Sequence, residues 1–161
     1  GIGGIAIGFA FKDIFENFEF ESQVDRLAKA GLLYQVAEKF ARLALHPTAV
    51  APPQMGLVFE ELIRKFAELS NETAGEHFTP REVIRLMVNL IFVEDDEVLS
   101  KPNVVRTIYD PTAGTGGMLS VSGEFLAEHN PVVRLNVYGQ ELNPESYAIC
   151  KADMLIKGQS V

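Results

Sequence analysis

The feature that most constrains the fold of this chain is a run of small residues between a predicted strand and a predicted helix, Asp110-Pro111-Thr112-Ala113-Gly114-Thr115-Gly116-Gly117. The β-branched run at 104–109 predicts the strand, and an apolar pattern over 118–129 predicts the helix. Backbone N–H groups of the loop can approach a ligand closely because three of its positions carry no Cβ. The amino end of the next helix is electropositive and suits a carboxylate or a phosphate. The alternative is a structural turn that binds nothing.

A second strand and helix follow the first pair. Residues 135–138 predict the strand, Asn143-Pro144 predicts the start of a helix, and Gly158 predicts its end. The order of strand, Gly-rich loop, helix, strand and helix predicts the opening half of a doubly wound α/β unit. A parallel sheet of this kind normally has more strands, so we expect the unit to be incomplete in this chain.

Two acidic residues stand where such a fold would place ligand contacts. Glu141 follows the second strand, and in dinucleotide-type folds an acidic residue roughly 20 residues beyond the glycines accepts hydrogen bonds from ribose hydroxyls. Asp110 ends the first strand and could either accept hydrogen bonds from loop amides or face a cationic ligand. A surface carboxylate without a ligand remains the alternative for Glu141.

The spacing of the glycines limits the class of ligand. A pyrophosphate-binding loop reads Gly-x-Gly-x-x-Gly, whereas residues 114–119 read Gly-Thr-Gly-Gly-Met-Leu, and no Gly-Lys-Ser/Thr of a P-loop follows. A ligand with one ribose, one anionic tail and no diphosphate fits this loop better, and S-adenosylmethionine is such a ligand. A nicotinamide-dependent oxidoreductase is the alternative that the loop spacing disfavours.

The region before residue 72 has a different pattern. Apolar residues recur at helical spacing from Phe11 to Leu69, around a Pro-containing loop at 46–54, and we interpret these stripes as core. Residues 1–10 are apolar and Gly-rich, and we predict a flexible terminus or a cloning remnant there. The predicted division is therefore a terminus at 1–10, a helical region at 11–72 and a partial α/β domain at 73–161.

A helix start is marked by Thr79-Pro80-Arg81-Glu82. Thr79 is the predicted N-cap, Pro80 the predicted first helical residue, and Glu82 the partner that completes a capping box. The sequence therefore predicts a helix that begins just before the first strand of the α/β domain.

The acidic composition limits the partners and the compartment. With 14 Lys and Arg against 22 Asp and Glu, the net charge is −8, which argues against nucleic-acid binding through a basic face of this chain alone. One cysteine and three histidines far apart in sequence form no disulfide and no metal-ligand pattern, which suits a cytoplasmic protein. The longest uncharged apolar stretch, residues 1–11, is too short to span a bilayer, so we expect no membrane role.

Two motifs resemble those of S-adenosylmethionine-dependent DNA methyltransferases. The run from Asp110 to Gly117 is similar to their first motif, and Gly75-Glu76-His77-Phe78-Thr79-Pro80-Arg81-Glu82 is similar to their tenth, here placed before the first. With the helix at 56–71 and the segment at 139–158, the chain resembles the modification subunit of type I restriction–modification systems. The resemblance covers roughly residues 11–158 and implies a helical region followed by the incomplete first half of a Rossmann-like methyltransferase fold.

The resemblance also implies which residues bind S-adenosylmethionine. The segment before the first strand would contact the methionine end, the loop would surround the methionine and ribose, and Glu141 would hold the ribose hydroxyls. The expected cofactor-binding residues are Glu76, His77, Phe78, Thr79, Pro80, Arg81, Asp110, Thr112, Ala113, Gly114, Thr115, Gly116, Gly117 and Glu141. A purely capping role for Thr79, an ordinary packed or surface position for His77, and a core position for Phe78 remain open.

The catalytic Asn-Pro-Pro-aromatic motif of that family is missing from this sequence. Its Pro-Pro pair, Pro52-Pro53, follows Ala51 and lies in the helical region. We therefore predict no catalytic residue in this chain and no methylation by this chain alone. The resemblance implies a parent protein that methylates adenine N6 at specific DNA sites, in a complex with DNA, a specificity subunit and a restriction subunit. The alternative is a non-catalytic module that binds a nucleoside or a partner protein.

Overall fold

The computed structural model describes residues 2–69 and 79–159. Its elements are, in chain order, α1 (Ile2–Asn17), α2 (Phe20–Lys29), α3 (Leu33–Ala41), α4 (Pro52–Leu69), α5 (Arg81–Phe92), α6 (Asp96–Ser100), β1 (Val105–Asp110), α7 (Gly117–His129), β2 (Arg134–Gly139) and α8 (Pro144–Ile156). Helix α1 includes residues 2–10, the segment predicted as a flexible terminus or cloning remnant. The candidate residues Glu76, His77 and Phe78 lie outside the described residues. None of the helices in the described ranges is long and apolar enough to cross a membrane.

The two strands form a parallel pair, and α7 lies between them in the chain as the crossover. Their register ends with Asp110 opposite Gly139, so both strands finish at the same edge. Ile108 and Val137 pack against a buried cluster that includes Leu119 of α7. The predicted order of strand, loop, helix, strand and helix is confirmed, as a small two-stranded parallel sheet with accompanying helices in the described part of the chain.

A second buried cluster joins α5, α6 and α7. Its members are Ile84, Val88 and Phe92 of α5, Val98 of α6, and Val121 and Leu126 of α7. The three α5 residues recur every four positions and therefore share one face of the helix. Because this face is buried against α7, α5 is held beside the helix that follows the Gly-rich loop.

The start of α8 has the predicted cap. Asn143 is the N-cap, its Oδ1 accepts a hydrogen bond from the backbone N–H of Ser146 at 2.9 Å, and Pro144 occupies the first helical position. The helix ends at Ile156, two residues before Gly158. Both predicted boundaries of this helix are confirmed.

The predicted capping box at the start of α5 is wrong. The N-cap is Pro80 rather than Thr79, no side chain caps the helix, and the first helical residue is Arg81. Pro80 has φ −55° and ψ 137°, because the φ that proline imposes is as compatible with an extended polyproline conformation as with a helix. The helix therefore begins one residue later than predicted.

The prediction that the apolar stripes of the N-terminal helices are core is wrong for α3, which contains no buried residue, and for Phe11, Phe15, Val58 and Leu62 of α1 and α4, which are about half exposed. Phe40 in α3, for example, is 64% exposed, whereas Ile14 in α1 is buried. Helix α1 contacts α8, where Asp13 Oδ2 accepts hydrogen bonds from Lys151 Nζ at 2.6 Å and from Tyr147 OH at 2.9 Å. Amphipathic spacing indicates that a helix has an apolar face, but it does not indicate that the same chain covers that face.

Replacing Asn143 with alanine should lower the free energy of unfolding by about 1 kcal/mol, because the amide of Ser146 loses its acceptor at the start of α8. Asn143→Asp should retain nearly the wild-type value, since aspartate caps helices equally well. Equilibrium unfolding in urea measures both variants. Equal stabilities of the alanine and aspartate variants would contradict the capping role.

Candidate functional site

The Gly-rich loop is hydrogen-bonded to the residue that follows β2. The backbone N–H of Ala113 donates to the carbonyl oxygen of Gln140 at 2.8 Å, and the N–H of Gln140 donates to the carbonyl of Asp110 at 2.9 Å. The Tyr109 hydroxyl donates to Oε1 of the same Gln140 at 2.5 Å. These bonds hold the loop after β1 against the end of β2.

Glu141 contacts the loop directly. Its Oε2 accepts a hydrogen bond from the N–H of Gly114 at 2.8 Å, and its Oε1 accepts one from the N–H of Asn143 at 2.8 Å. The carboxylate therefore links the loop after β1 to the start of α8. Asp110 Oδ1 accepts a hydrogen bond from the N–H of Thr112 at 3.0 Å, which is the loop-supporting role that was one of its two predicted alternatives.

The loop lies in close contact with helices on two sides. Gly116 has φ +85°, and a Cβ there would lie 2.5 Å from Sγ of Cys150 in α8. A Cβ on Gly117 would lie 2.5 Å from Cδ1 of Ile84 in α5. A Cβ at either position would therefore require the Cys150 or Ile84 side chain, or the loop itself, to shift. Burial, together with neighbouring carboxylates, raises the pKa of Cys150 to about 11, so its thiol is neutral at physiological pH.

A cavity of about 470 Å³ lies between the loop and α5, a volume typical of small-molecule sites. Eight of the predicted cofactor-binding residues line it: Thr79, Arg81, Asp110, Thr112, Ala113, Gly114, Thr115 and Gly117. Apolar side chains that the sequence did not single out also line it, among them Met87, Ile91, Ile108 and Met118. Residues of upstream α4 and of α8, Glu60 and Asp153, complete one wall.

Three predicted residues are placed differently from these eight. Glu141 does not line the cavity but contacts the loop at Gly114, and Gly116 faces Cys150. Pro80 precedes the first turn of α5 as its N-cap. The described candidate residues of both motifs therefore lie around the Gly-rich loop. The cavity and the Glu141 carboxylate both border this loop.

Arg81 lines the cavity, but its guanidinium group is paired with two carboxylates of the protein. Its Nη1 lies 2.6 Å from Oε2 of Glu60, and its Nη2 donates to Glu124. Sequence reasoning missed Glu60 because it lies on a helix outside both motifs, where nothing in the local pattern distinguishes it from other surface glutamates. Gln140 was also missed, although its place between the end of β2 and Glu141 could have identified it.

The chain belongs to the N-6 DNA Methylase family, because residues 51–161 match the sequence model of that family. The matched range contains the Gly-rich loop, Glu141 and the segment that precedes α5. Membership of this family confirms the resemblance that was inferred from the two motifs.

Curated relatives are methylase subunits of type I restriction enzymes. The chain is 29% identical to the HindI methylase subunit of Haemophilus influenzae over 105 residues, which are 65% of this chain and 21% of that protein. It is 24% identical to the MjaIX methylase subunit of Methanocaldococcus jannaschii over 148 residues, which are 91% of this chain and 24% of that protein. The chain thus spans less than a quarter of the length of these relatives.

A solved structure is also similar. It is the methyltransferase subunit of a type I restriction–modification system from Streptococcus thermophilus, with a TM-score of 0.59 and 28% identity. The match covers 81% of this chain and 25% of that one.

Gly116→Ala should destabilise the protein more than Gly31→Ala does. Both glycines have positive φ, +85° and +68°, so alanine costs about 1–2 kcal/mol at either site. Only at Gly116 would the new Cβ also overlap Cys150, since nothing lies within 4 Å at Gly31.

Urea unfolding of the two single variants, and of Gly116→Ala combined with Cys150→Ala, measures this difference. The excess cost at Gly116 should become smaller when Sγ is absent. Equal losses at Gly116 and Gly31 would show that the contact between the loop and α8 is looser than described.

Proposed function

We propose that this chain binds S-adenosylmethionine at the Gly-rich loop and is the cofactor-binding part of a type I restriction–modification methyltransferase subunit. The observation that carries the proposal is the Glu141 carboxylate, hydrogen-bonded to Gly114 N at 2.8 Å beside a cavity of about 470 Å³. An acidic residue at this place after the second strand suits ribose hydroxyls. Family membership and the methylase relatives support the same reaction class.

The residues present fit the chemical groups of this cofactor. Glu141 would accept hydrogen bonds from the ribose hydroxyls, and the loop from Thr112 to Gly117 would surround the ribose and methionine parts. The cavity, with Thr79 and Asp110 in its wall, would take the amino-acid end. The amino end of α7 suits the carboxylate of that end. When bound, the cofactor supplies an electrophilic methyl group on a sulfonium centre.

The fold in this proposal is the first half of a Rossmann-like methyltransferase domain. The parallel pair of β1 and β2, joined through α7, is its opening βαβ unit, and Glu141 follows its second strand. The ligand site at the carboxyl ends of the strands is the usual place for such domains. The helical region at 11–72 precedes this domain.

The parent activity in this proposal is methylation of adenine N6 in DNA, in the cytoplasm. Its partners would be DNA, a specificity subunit and a restriction subunit. The relatives support this assignment, since they are methylase subunits of type I restriction enzymes. The net charge of −8 suits a division of labour in which another subunit supplies much of the phosphate contact.

Isothermal titration with S-adenosylmethionine should detect binding to the wild-type chain and an affinity at least about tenfold lower for Glu141→Gln. The substitution removes the charge that strengthens bonds to ribose hydroxyls. The single amide oxygen can still accept from Gly114, whereas the amide nitrogen in place of Oε1 cannot accept from the N–H of Asn143. Glu128→Gln, the same change on the exposed end of α7, is the control and should bind like wild type.

Two results of this titration would contradict the proposal. Equal affinities of wild type and Glu141→Gln would remove Glu141 from the ribose site. Binding of a nicotinamide dinucleotide in place of S-adenosylmethionine would instead favour the oxidoreductase alternative.

This chain alone should not methylate DNA, because its sequence lacks an Asn-Pro-Pro-aromatic motif to hold a flipped adenine. Incubation with unmodified DNA and methyl-labelled S-adenosylmethionine should transfer no label above a protein-free control. Turnover by the chain alone would overturn this part of the proposal, whereas cofactor binding without turnover is the expected result.

A further inference from the structure

Five ionisable side chains meet beside the cavity, and three of them, Glu60, Arg81 and Asp153, line it. The five are Glu60 of α4, Arg81 of α5, Glu124 of α7, Asp153 of α8, and Lys157 directly after α8. Neither of the two motifs contains Glu60 or Lys157. This ion cluster is one place where the upstream helical region contacts the helices that border the Gly-rich loop.

Lys157 is the most buried cation of the cluster, with 8% of its side chain exposed. Its Nζ donates to Oε1 of Glu60 at 2.6 Å and to Oγ of Ser120 at 2.6 Å, and it lies 3.0 Å from Oδ2 of Asp153. Its aliphatic part runs along α4, where a Cβ on Gly56 would lie 3.0 Å from Cε. A buried ammonium with this set of acceptors fixes α8 against α4, since leaving it unpaired would be costly.

Arg81 connects the same carboxylate to the start of α5. Glu60 accepts hydrogen bonds from Nη1 of Arg81 at 2.7 and 2.6 Å through its two oxygens, and Glu124 accepts from Nη2. Arg81 is the first helical residue of α5. The N-cap before it is Pro80, and no side-chain hydrogen bond caps the helix there. In place of a side-chain cap, the ion pairs of Arg81 with Glu60 and Glu124 therefore fix the start of α5.

The position of α5 in turn affects the loop. Ile84 lies three residues after Arg81, and its Cδ1 occupies the space next to Gly117 that a Cβ there would need. Ile84 is buried in the cluster that packs α5 against α7, and it also lines the cavity. A shift of the first turn of α5 would therefore be transmitted to the amino end of α7 and to the cavity wall that includes Thr79.

We infer that Glu60 is a positioning residue for the ligand site: by binding Arg81 and Lys157 together, it holds the start of α5 against the Gly-rich loop. The effect on cofactor affinity rests on the function proposed above. The effect on the position of α5 does not depend on any ligand, so it can be measured separately.

Glu60→Gln and Glu60→Ala test this inference, with Glu61→Gln as the matched control. Glu61 is the next residue of α4 and is exposed, and its ion pairs lie within the same helix, with Arg64 and Lys65. The control therefore makes the same change of charge without touching the cluster.

Hydrogen exchange followed by mass spectrometry should show faster exchange in peptides covering 80–88 and 112–119 for both Glu60 variants. The peptide covering β2 should be unchanged, because a local displacement, unlike global unfolding, leaves it protected. Glu61→Gln should match wild type throughout. Wild-type exchange at 80–88 in Glu60→Gln would overturn the inference, and so would a uniform increase over all peptides.

Titration with S-adenosylmethionine then separates the inference from the proposed function. We expect affinity to fall roughly fivefold to tenfold in Glu60→Gln and to stay unchanged in Glu61→Gln, since misplacing a site by a small distance weakens every contact in it. Wild-type affinity in Glu60→Gln would overturn the positioning role. If the wild-type chain itself bound no cofactor, the proposed function would fail, and the exchange pattern alone would decide the role of Glu60.

Discussion

The hydrogen bond from Gly114 N–H to the Glu141 carboxylate is the contact on which the arrangement of the site depends. A parallel pair ends both strands at one edge, so the residues that follow β1 and β2 can reach each other there. Glu141 uses its second oxygen for the N–H of Asn143, which begins α8. The loop after the first strand and the helix after the second are therefore held by one charged acceptor, and bonds of this kind are stronger than neutral ones.

The contacts around that edge differ in how much they constrain the molecule. Exposed ion pairs such as Arg42 with Glu38 lie within single helices and contribute little to stability. The pairs of Lys157 and Arg81 are partly or largely buried and join helices that are far apart in sequence. Burial opposes the charge of Lys157, but its hydrogen bond to Glu60 and the charge of Asp153 outweigh this and raise its pKa. The cation therefore stays charged across the physiological range.

Local patterns predicted the parts of the fold that local chemistry determines. The Asn143 cap and the position of Glu141 after the second strand each follow from a few consecutive residues, and the structure places both as expected. The glycines of the loop are only partly so, because Gly116 faces Cys150 rather than the cavity. The cap of α5 was mispredicted because the φ that proline imposes is compatible with both a helical and an extended conformation, and Pro80 adopts the extended one. Glu60 could not be identified because its partners are distant in sequence. The exposure of α2 and α3 depends on what covers them, which spacing does not encode.

The most direct test of the central claim, that the Gly-rich loop and Glu141 form one adenosyl-binding site, is an amide NMR titration of the ¹⁵N-labelled chain with S-adenosylmethionine. We expect the resonances of Gly114, Gly116 and Glu141 to shift together with a single dissociation constant, while those of α3 stay in place. Shifts that leave the loop unaffected, or that move the loop and Glu141 with different dissociation constants, would contradict it.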